Sequence, residues 1–236
     1  MEKRRDFVKK ITIATAGIAA ANNNLFAMSA KSYRNIIGAN DRIHTAIIGV
    51  NGRGTSMAGT FVKQNNNEVS YICDVDTRTF AKALKAVAGA GQAIVPRTEQ
   101  DCRKVLADKH IDAIYIATPD HWHTPLTIMG CQAGKHVYVE KPLSHNPHEG
   151  ELAIAAARKY NKVVQMGAQR RSAPVLTEGI AQLHSGVIGR VYYAKTWYTN
   201  TRKATFLKPG TAPAELDYDL WQGPAPRLAY QDGLIH

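Results

Sequence analysis

The sequence predicts an α/β protein built on a doubly wound parallel sheet. From residue 43 onward, short apolar runs alternate with segments of helical pattern, the order that covers both faces of a parallel sheet with helices. A glycine cluster, Gly49 to Gly54, follows the first apolar run, and Glu140-Lys141-Pro142 follows a later one. Open α/β sheets bind ligands at the carboxyl ends of their strands, so we expect these two motifs to share one site.

The individual elements are delimited by residues that begin or end helices. Gly89, Gly134 and Gly186 are typical helix stops, and Thr124-Pro125 is typical of a helix start. An aromatic and β-branched run, 191–198, predicts a strand of a second sheet. We expect the other strands at 43–48, 68–73, 93–95, 113–117, 136–139 and 163–166, and helices at 55–64, 77–89, 100–108, 124–134, 147–160 and 176–185.

The composition and the hydrophobic pattern along the chain predict four segments. A signal peptide at 1–30 and a polar linker at 31–41 precede a nucleotide-binding domain of the Rossmann type at 42–162. Residues 163–236 are expected to begin a second domain, which is incomplete because its strand signals stop beyond Thr199.

The amino-terminal segment has the pattern of an export signal. A basic start, Lys3 to Lys10, leads into an apolar run, Ile11 to Ala21, that is too short for a permanent membrane span. The pair Arg4-Arg5 precedes one residue, then Phe, then Lys, and so resembles a twin-arginine signal, which predicts a periplasmic or secreted protein. The alternative is a cytosolic protein with an amphipathic amino terminus.

Composition and charge describe a globular protein. A hydrophobic content of 44% and a mean hydropathy of -0.28 exclude a disordered chain and an integral membrane protein. The net charge is +11, and it is dispersed, without a block of five basic residues, so we predict no nucleic-acid partner. Cys73, Cys102 and Cys131 are odd in number and lie in apolar or helical patterns, which predicts buried thiols rather than disulfides.

The glycine cluster fits a dinucleotide-binding turn. Gly49 and Gly54 match G-x-G-x-x-G, whereas Asn51 stands at the second glycine position and Gly52 is additional. Asparagine tolerates positive φ best among the other residues, so the tight turn can form. We expect the cofactor pyrophosphate to bind these four residues and Arg53, at the backbone N–H groups where the next helix starts.

An acid at the end of the second strand predicts the choice of cofactor. Asp74 lies where a carboxylate binds the adenosine ribose, and its charge repels a 2′-phosphate, so NAD is favoured over NADP. Arg78 leaves NADP open, because a nearby arginine can accommodate the phosphate. The alternative for Asp74 is a turn residue at the strand end or a helix cap, although Asp76 is better placed for the cap.

The loop after the fourth strand faces the same crevice. Thr118-Pro119 turns the chain, and Trp122 and His123 are expected to pack against the cofactor near the nicotinamide ribose. His121 and His123 lack the third ligand that a zinc site normally requires, so we predict no metal.

Lys141 is the catalytic candidate. A lysine at a dry strand end beside nicotinamide can take the proton from a substrate hydroxyl. Glu140 can orient this lysine or bind the cofactor ribose, and Gln169 is a further cofactor candidate. The alternative for Lys141 is a surface Lys-Pro turn.

Taken together, these motifs resemble those of the glucose–fructose oxidoreductase, inositol dehydrogenase and rhizopine catabolism (Gfo/Idh/MocA) family, in particular its secreted twin-arginine members. The resemblance runs from about Ile43 to the end and rests on five segments, Gly49–Gly54, Cys73–Asp76, Ala117–His123, Val139–Pro142 and Gln165–Arg170. It implies an enzyme that uses NAD(P), a carbohydrate or polyol substrate, and a cis peptide before Pro142. It also implies that the second domain is an α/β domain with a mostly antiparallel sheet. The open face of that sheet is expected to cover the nicotinamide and to make a full-length form a homo-oligomer.

The resemblance leaves three functions open. In the family an aspartate and a histidine of the second domain complete the site, and these would lie beyond His236, so we expect a truncated chain with little turnover. The first reading is an NAD-dependent oxidoreductase. The second is a glycosidase, since some secreted members use tightly held NAD for transient oxidation before the glycosidic substituent is eliminated. The third is a nucleotide-binding fragment without catalysis.

Overall fold

Six parallel strands form the central sheet of the protein. The computed structural model describes residues 42–199 and 205–235, so the expected signal peptide and linker lie outside the described residues. The strands are β1 (Ile43–Ile48), β2 (Asn67–Cys73), β3 (Arg97–Glu99), β4 (Ala113–Ile116), β5 (His136–Glu140) and β6 (Val164–Gly167). Their order, β3-β2-β1-β4-β5-β6, is that of a Rossmann sheet, and it reverses between β1 and β4. This switch point places a ligand crevice at the carboxyl ends of these strands.

Helices connect the strands and cover both faces of the sheet. They are α1 (Arg53–Val62), α2 (Phe80–Gly89), α3 (Cys102–Ala107), α4 (His123–Gln132), α5 (Pro147–Lys159), α6 (Pro174–His184) and α7 (Tyr218–Gln222). Short 3₁₀ turns, Thr77–Thr79 and Asp120–Trp122, lead into α2 and α4. Two short antiparallel strands, β7 (Lys208–Pro209) and β8 (Gln231–Asp232), form a separate small sheet. No helix in the described part of the chain combines the length and the apolar character needed to cross a bilayer.

The core lies on both faces of the sheet, which explains why the strands are apolar along their whole length. On one face Ile48, Ile114 and Ile116 pack with Leu126 of α4. On the other face the packing involves α1 and α2, and its buried side chains include Ile47, Ile72, Val87 and Tyr115. Successive residues of one strand thus enter opposite halves of the core. The three cysteines are free and buried, as predicted.

Two predicted strands are wrong, for a shared physical reason. Ala93–Val95 is loop, Val95 is 73% exposed, and the polar segment Arg97–Glu99 pairs with β2 instead. An edge strand needs backbone pairing on one side only, so apolar side chains do not locate it. Residues 191–198 form no strand, and Trp197 is 76% exposed. Aromatic and β-branched residues make a strand only where a neighbouring strand is available, and the described residues supply none there.

The start of α4 also differs from the expected one. The helix begins at His123 rather than Thr124, and the Thr124 hydroxyl donates to the Leu143 carbonyl at 2.7 Å instead of capping the helix. Helix boundaries commonly shift by a residue or two when a side chain finds a tertiary partner.

Candidate active site

The turn after β1 requires glycine at two positions. Gly49 has φ +84°, and a Cβ atom there would lie 2.6 Å from the Ala117 carbonyl group. A Cβ atom at Gly54 would lie 1.8 Å from the Gly49 carbonyl oxygen. The first turn of α1 therefore packs directly on the chain leaving β1. At Gly52, by contrast, a Cβ atom would meet nothing within 4 Å, so the backbone of the turn faces open space.

Asp74 links the end of β2 to this turn. One carboxylate oxygen accepts from the Val50 N–H at 2.6 Å, and the other accepts from the Asp76 N–H at 3.0 Å. Burial raises the pKa of Asp74, and these two backbone hydrogen bonds partly offset the effect. The acid thus lies at the position predicted for the ribose contact, held there by the backbone of the glycine turn.

The neighbouring arginine is bound to another acid. Arg78 donates from Nε and Nη2 to the two oxygens of Asp76, at 2.8 and 2.7 Å. These bonds lower the pKa of Asp76. Asp76 also accepts from the Arg78 N–H at 3.0 Å, which confirms Asp76 as the cap. The Arg78 charge is therefore already matched by a carboxylate.

Glu140, at the end of β5, is held by three donors. Arg53 Nε and the Tyr115 hydroxyl donate to one carboxylate oxygen at 2.8 and 2.6 Å, and Gln169 Nε2 donates to the other at 2.7 Å. Burial by itself would raise the pKa of Glu140, but hydrogen bonds from Tyr115, Arg53 and Gln169 bring it below its usual value. The carboxylate therefore connects the glycine turn to the end of β5 and makes no bond to Lys141.

His123 fixes the loop on the other side of Lys141. Its ring is 1% exposed, with Nδ1 2.6 Å from the Pro142 carbonyl oxygen and Nε2 2.9 Å from the Thr118 carbonyl oxygen. The ring therefore spans the chain after β4 and the chain after β5. The Lys141-Pro142 peptide is cis, as the family resemblance implied.

Lys141 is exposed within this rigid surrounding. Of the residues that the structure describes, none forms a hydrogen bond or an ion pair with its side chain. The side chain lies at the wall of the cleft. The hydrogen-bonded Glu140 carboxylate precedes it, and the Pro142 loop that His123 holds follows it. The Lys141 side chain is therefore accessible to a ligand.

The cleft at the carboxyl edge has a volume of ≈ 880 Å³. All but one of the residues predicted for the cofactor site line it, namely Gly49, Asn51, Gly52, Arg53, Asp74, Thr118, Pro119, Trp122, His123, Glu140, Lys141 and Gln169. Gly54 lies behind the turn, where its role is close packing. The predicted residues from five strand ends are thus brought together at one edge.

Sequence reasoning missed the part of the wall that comes from the end of the chain. Leu216, Leu220, Trp221, Leu234 and Ile235 also line the cleft. The local signal for this wall is weak: Leu220 and Trp221 belong to the short helix α7, and Leu216 precedes the cap of that helix.

The donors of the cleft fit a dinucleotide. The Thr118 hydroxyl is buried and, among the described residues, has no hydrogen-bond partner, which leaves a polar atom for a ligand. The open space at Gly52 lets a pyrophosphate approach the backbone N–H groups at the start of α1. Asp74 supplies an acceptor for ribose. Within the described ranges no group of three or more metal-ligating side chains is present.

Comparison with known proteins agrees with this fit. The family model of the Gfo/Idh/MocA oxidoreductases matches residues 43–168. That family is described as an oxidoreductase family with an NAD-binding Rossmann fold. A glycosyl hydrolase family 109 protein of Saccharopolyspora erythraea is 29% identical over 175 residues, 72% of this chain and 38% of the relative. The chain thus spans well under half the length of this curated relative.

Solved structures show the same fold. An NAD-binding protein from Listeria innocua is 26% identical with a TM-score of 0.54, over 63% of this chain and 40% of that one. Myo-inositol 2-dehydrogenase from Lactobacillus plantarum is 24% identical with a TM-score of 0.57, over 64% and 43%. Because the family model matches more than half of its residues, the chain belongs to the Gfo/Idh/MocA family of NAD-binding oxidoreductases.

Proposed function

We propose that the protein is an NAD-dependent oxidoreductase that acts on a sugar, an inositol or a related polyol, with Lys141 in proton transfer. The observation that carries the proposal is the unpaired, exposed Lys141 side chain at the wall of a cleft that fits NAD. The oxygens of the adjacent Glu140 accept from three other side chains, so this carboxylate leaves Lys141 available to a ligand.

The residues around Lys141 have different roles in the proposed reaction. NAD, when bound in the cleft, would supply the acceptor for a hydride from the hydroxyl-bearing carbon of the substrate. The neutral amine form of Lys141 takes up the hydroxyl proton during oxidation, and the ammonium formed in this way returns the proton during reduction. Glu140 is unsuited to proton transfer, because three donors already occupy its oxygens and keep its pKa low. Its role is to hold Arg53 beside the pyrophosphate turn. His123 keeps the loop that carries Lys141 in place.

A second candidate function is an NAD-dependent glycosidase. It is favoured by the curated relative named as a glycosyl hydrolase family 109 protein. In that reaction the transiently oxidised sugar would eliminate its glycosidic substituent and water would add in its place. Return of the hydride and the proton to the sugar would then restore its hydroxyl and the oxidised cofactor. The two functions therefore share the cleft and Lys141 and differ in the net redox balance.

Net NADH formation separates the candidates. The complete gene product is incubated with NAD and either a panel of polyols and sugars or a set of aryl glycosides. We expect NADH to accumulate with at least one polyol or sugar, in proportion to substrate consumed. Release of the aryl group without net NADH would assign the glycosidase instead. Cofactor binding with neither reaction would leave a nucleotide-binding protein without catalysis and contradict both proposals.

We also expect NAD to bind more tightly than NADP. The Asp74 carboxylate would lie close to a 2′-phosphate, and repulsion between like charges at such distances corresponds to roughly tenfold or more in affinity. Asp74→Asn should bring the ratio of the NADP dissociation constant to the NAD dissociation constant closer to one. Calorimetric titration with each cofactor measures the two constants. Arg78→Gln is the matched control, since Arg78 is bound to Asp76 and its loss should leave the ratio unchanged. Equal affinities in the wild-type protein, or tighter NADP binding that Arg78→Gln abolishes, would assign the phosphate to Arg78.

A further inference from the structure

Residues 213–223, which we call the strap, cross the carboxyl edge of the sheet outside the family-matched region. At the β2 side the strap is bound by its backbone. Leu216 forms an antiparallel bridge with Asp76, the Thr77 N–H donates to the Glu215 carbonyl at 3.1 Å, and the Asp217 N–H donates to the Val75 carbonyl at 2.9 Å. This end therefore follows the chain that leaves the ribose-binding acid.

At the β4 side the strap is bound by side chains of the loop after that strand. The Trp122 indole N–H donates to the Leu220 and Trp221 carbonyls at 3.0 and 3.2 Å. His121 Nε2 lies 2.9 Å from the Trp221 carbonyl oxygen, and the rings of His121 and Trp221 meet edge to face at 5.5 Å. The strap thus joins the two strand ends that flank the switch strand β1.

A glutamine ties the strap to the sheet from a third direction. Gln100 Nε2 donates to the Val75 carbonyl at 2.8 Å and to the Glu215 carbonyl at 3.2 Å. With its backbone so engaged, the strap presents apolar side chains to the cleft, from Leu216, Leu220 and Trp221. Such a surface suits a flat aromatic base and offers nothing to a phosphate.

The position of the strap identifies the part of the cofactor that it covers. Adenosine binds at the β2 side of the switch point in this sheet, with its ribose at the acid that ends β2. Asp74 and Val75 lie there, and the strap is bonded to Val75 itself. Lys141 lies after β5, beyond the two strand ends to which the strap is bound, so the reacting nicotinamide ring is not under the strap.

We propose that the strap is the outer wall of the adenosine subsite and that it limits the rate at which the cofactor leaves. The inference rests on NAD occupying this cleft, as in the proposed function. Adenosine would be enclosed between the sheet edge and Leu216, Leu220 and Trp221, so the strap must separate from Trp122 before the base can depart.

Gly223 provides a variant that disturbs the strap from a position that does not itself line the cleft. It has φ +50°, and a Cβ atom there would lie 2.2 Å from two atoms of the Trp122 ring, so Gly223→Ala must push the strap away from its indole partner. The rate of NADH release is followed by its fluorescence after mixing with excess NAD. We expect release to be about tenfold faster, the effect of losing one or two hydrogen bonds.

Gly134→Ala is the matched control for this variant. Gly134 has φ +79°, and a Cβ atom there would meet nothing within 4 Å, so the substitution adds similar backbone strain with no effect on the strap. Its NADH release rate should stay within about twofold of wild type. A Gly223→Ala release rate equal to that of the control would overturn the inference, while failure of the wild-type protein to bind NADH would overturn the proposed function as well.

Hydrogen exchange tests the strap without any substitution. NAD should slow deuterium uptake in peptides covering 213–223, where the Asp217 N–H bonds to Val75, and leave peptides of α6 unchanged. This measurement keeps the inference testable if Gly223→Ala does not fold. If NAD binds but deuterium uptake in the strap does not change, the proposal that the strap forms the outer wall of the adenosine subsite is refuted.

Discussion

Replacing Lys141 with alanine is expected to lower turnover by roughly 10²–10⁴-fold, the usual loss when a positioned acid or base is removed. NAD affinity should change little, because the pyrophosphate and adenosine contact the glycine turn and Asp74 rather than this side chain. The measurements are steady-state turnover of the complete gene product with its best substrate and calorimetric titration with NAD.

Two further lysine variants make the result specific. Lys141→Arg keeps the positive charge but cannot give up a proton near neutral pH, so its turnover should fall nearly as far as that of the alanine variant. Lys85→Ala removes an exposed lysine of α2 and should leave turnover unchanged. Substantial activity in Lys141→Arg would show that the charge matters rather than proton transfer. Wild-type turnover in Lys141→Ala would reduce Lys141 to a surface turn residue.

Local signals were sufficient to predict most of the central sheet and the positions of the cofactor motifs. A fully buried parallel strand is apolar along its whole length, and β1, β4 and β5 were recognisable for that reason. Because such strands end at one edge, the turn at Gly49 and the lysine at 141 could be placed in one cleft before any contact was known.

The hydrogen-bond partners of the site side chains could not be predicted from the sequence. The hydrogen bond from Arg53 to Glu140 joins residues 87 positions apart, and that from Trp122 to Leu220 joins residues 98 apart. Such pairs depend on the packing of whole elements, and no local pattern records them. Glu140 was therefore expected to orient Lys141 or bind ribose, while the structure gives its carboxylate to Arg53, Tyr115 and Gln169.

The strap was missed for a related reason. Residues 213–223 contain little regular structure apart from the short helix α7, and their order comes from bonds to loops far away in sequence. The proline and glycine residues of this region predict turns, and these turns let the backbone follow the sheet edge and reach Trp122.

The glycine turn offers a pair of substitutions that separate folding from cofactor binding. At Gly54 a methyl group would collide with the Gly49 carbonyl, where the nearest atom lies at 1.8 Å and belongs to the backbone. The turn must shift, so Gly54→Ala should lower the free energy of unfolding by about 1–3 kcal/mol. The displaced N–H groups should also weaken NAD binding by about 100-fold, which corresponds to one or two hydrogen bonds to a charged group.

At Gly52 the same methyl group meets nothing within 4 Å, and it would extend into the space that we assign to the pyrophosphate. Gly52→Ala should therefore change the free energy of unfolding by less than about 0.5 kcal/mol and still weaken NAD binding at least tenfold. Gly89→Ala, in α2 and with an equally open Cβ position, is the control, and both its stability and its NAD affinity should be at least those of wild type. Urea unfolding without cofactor and calorimetric titration with NAD give the two quantities separately. If Gly52→Ala binds NAD with wild-type affinity, the assignment of the pyrophosphate to this turn is wrong. A ligand held by backbone N–H groups at that point would have no room for the added methyl group.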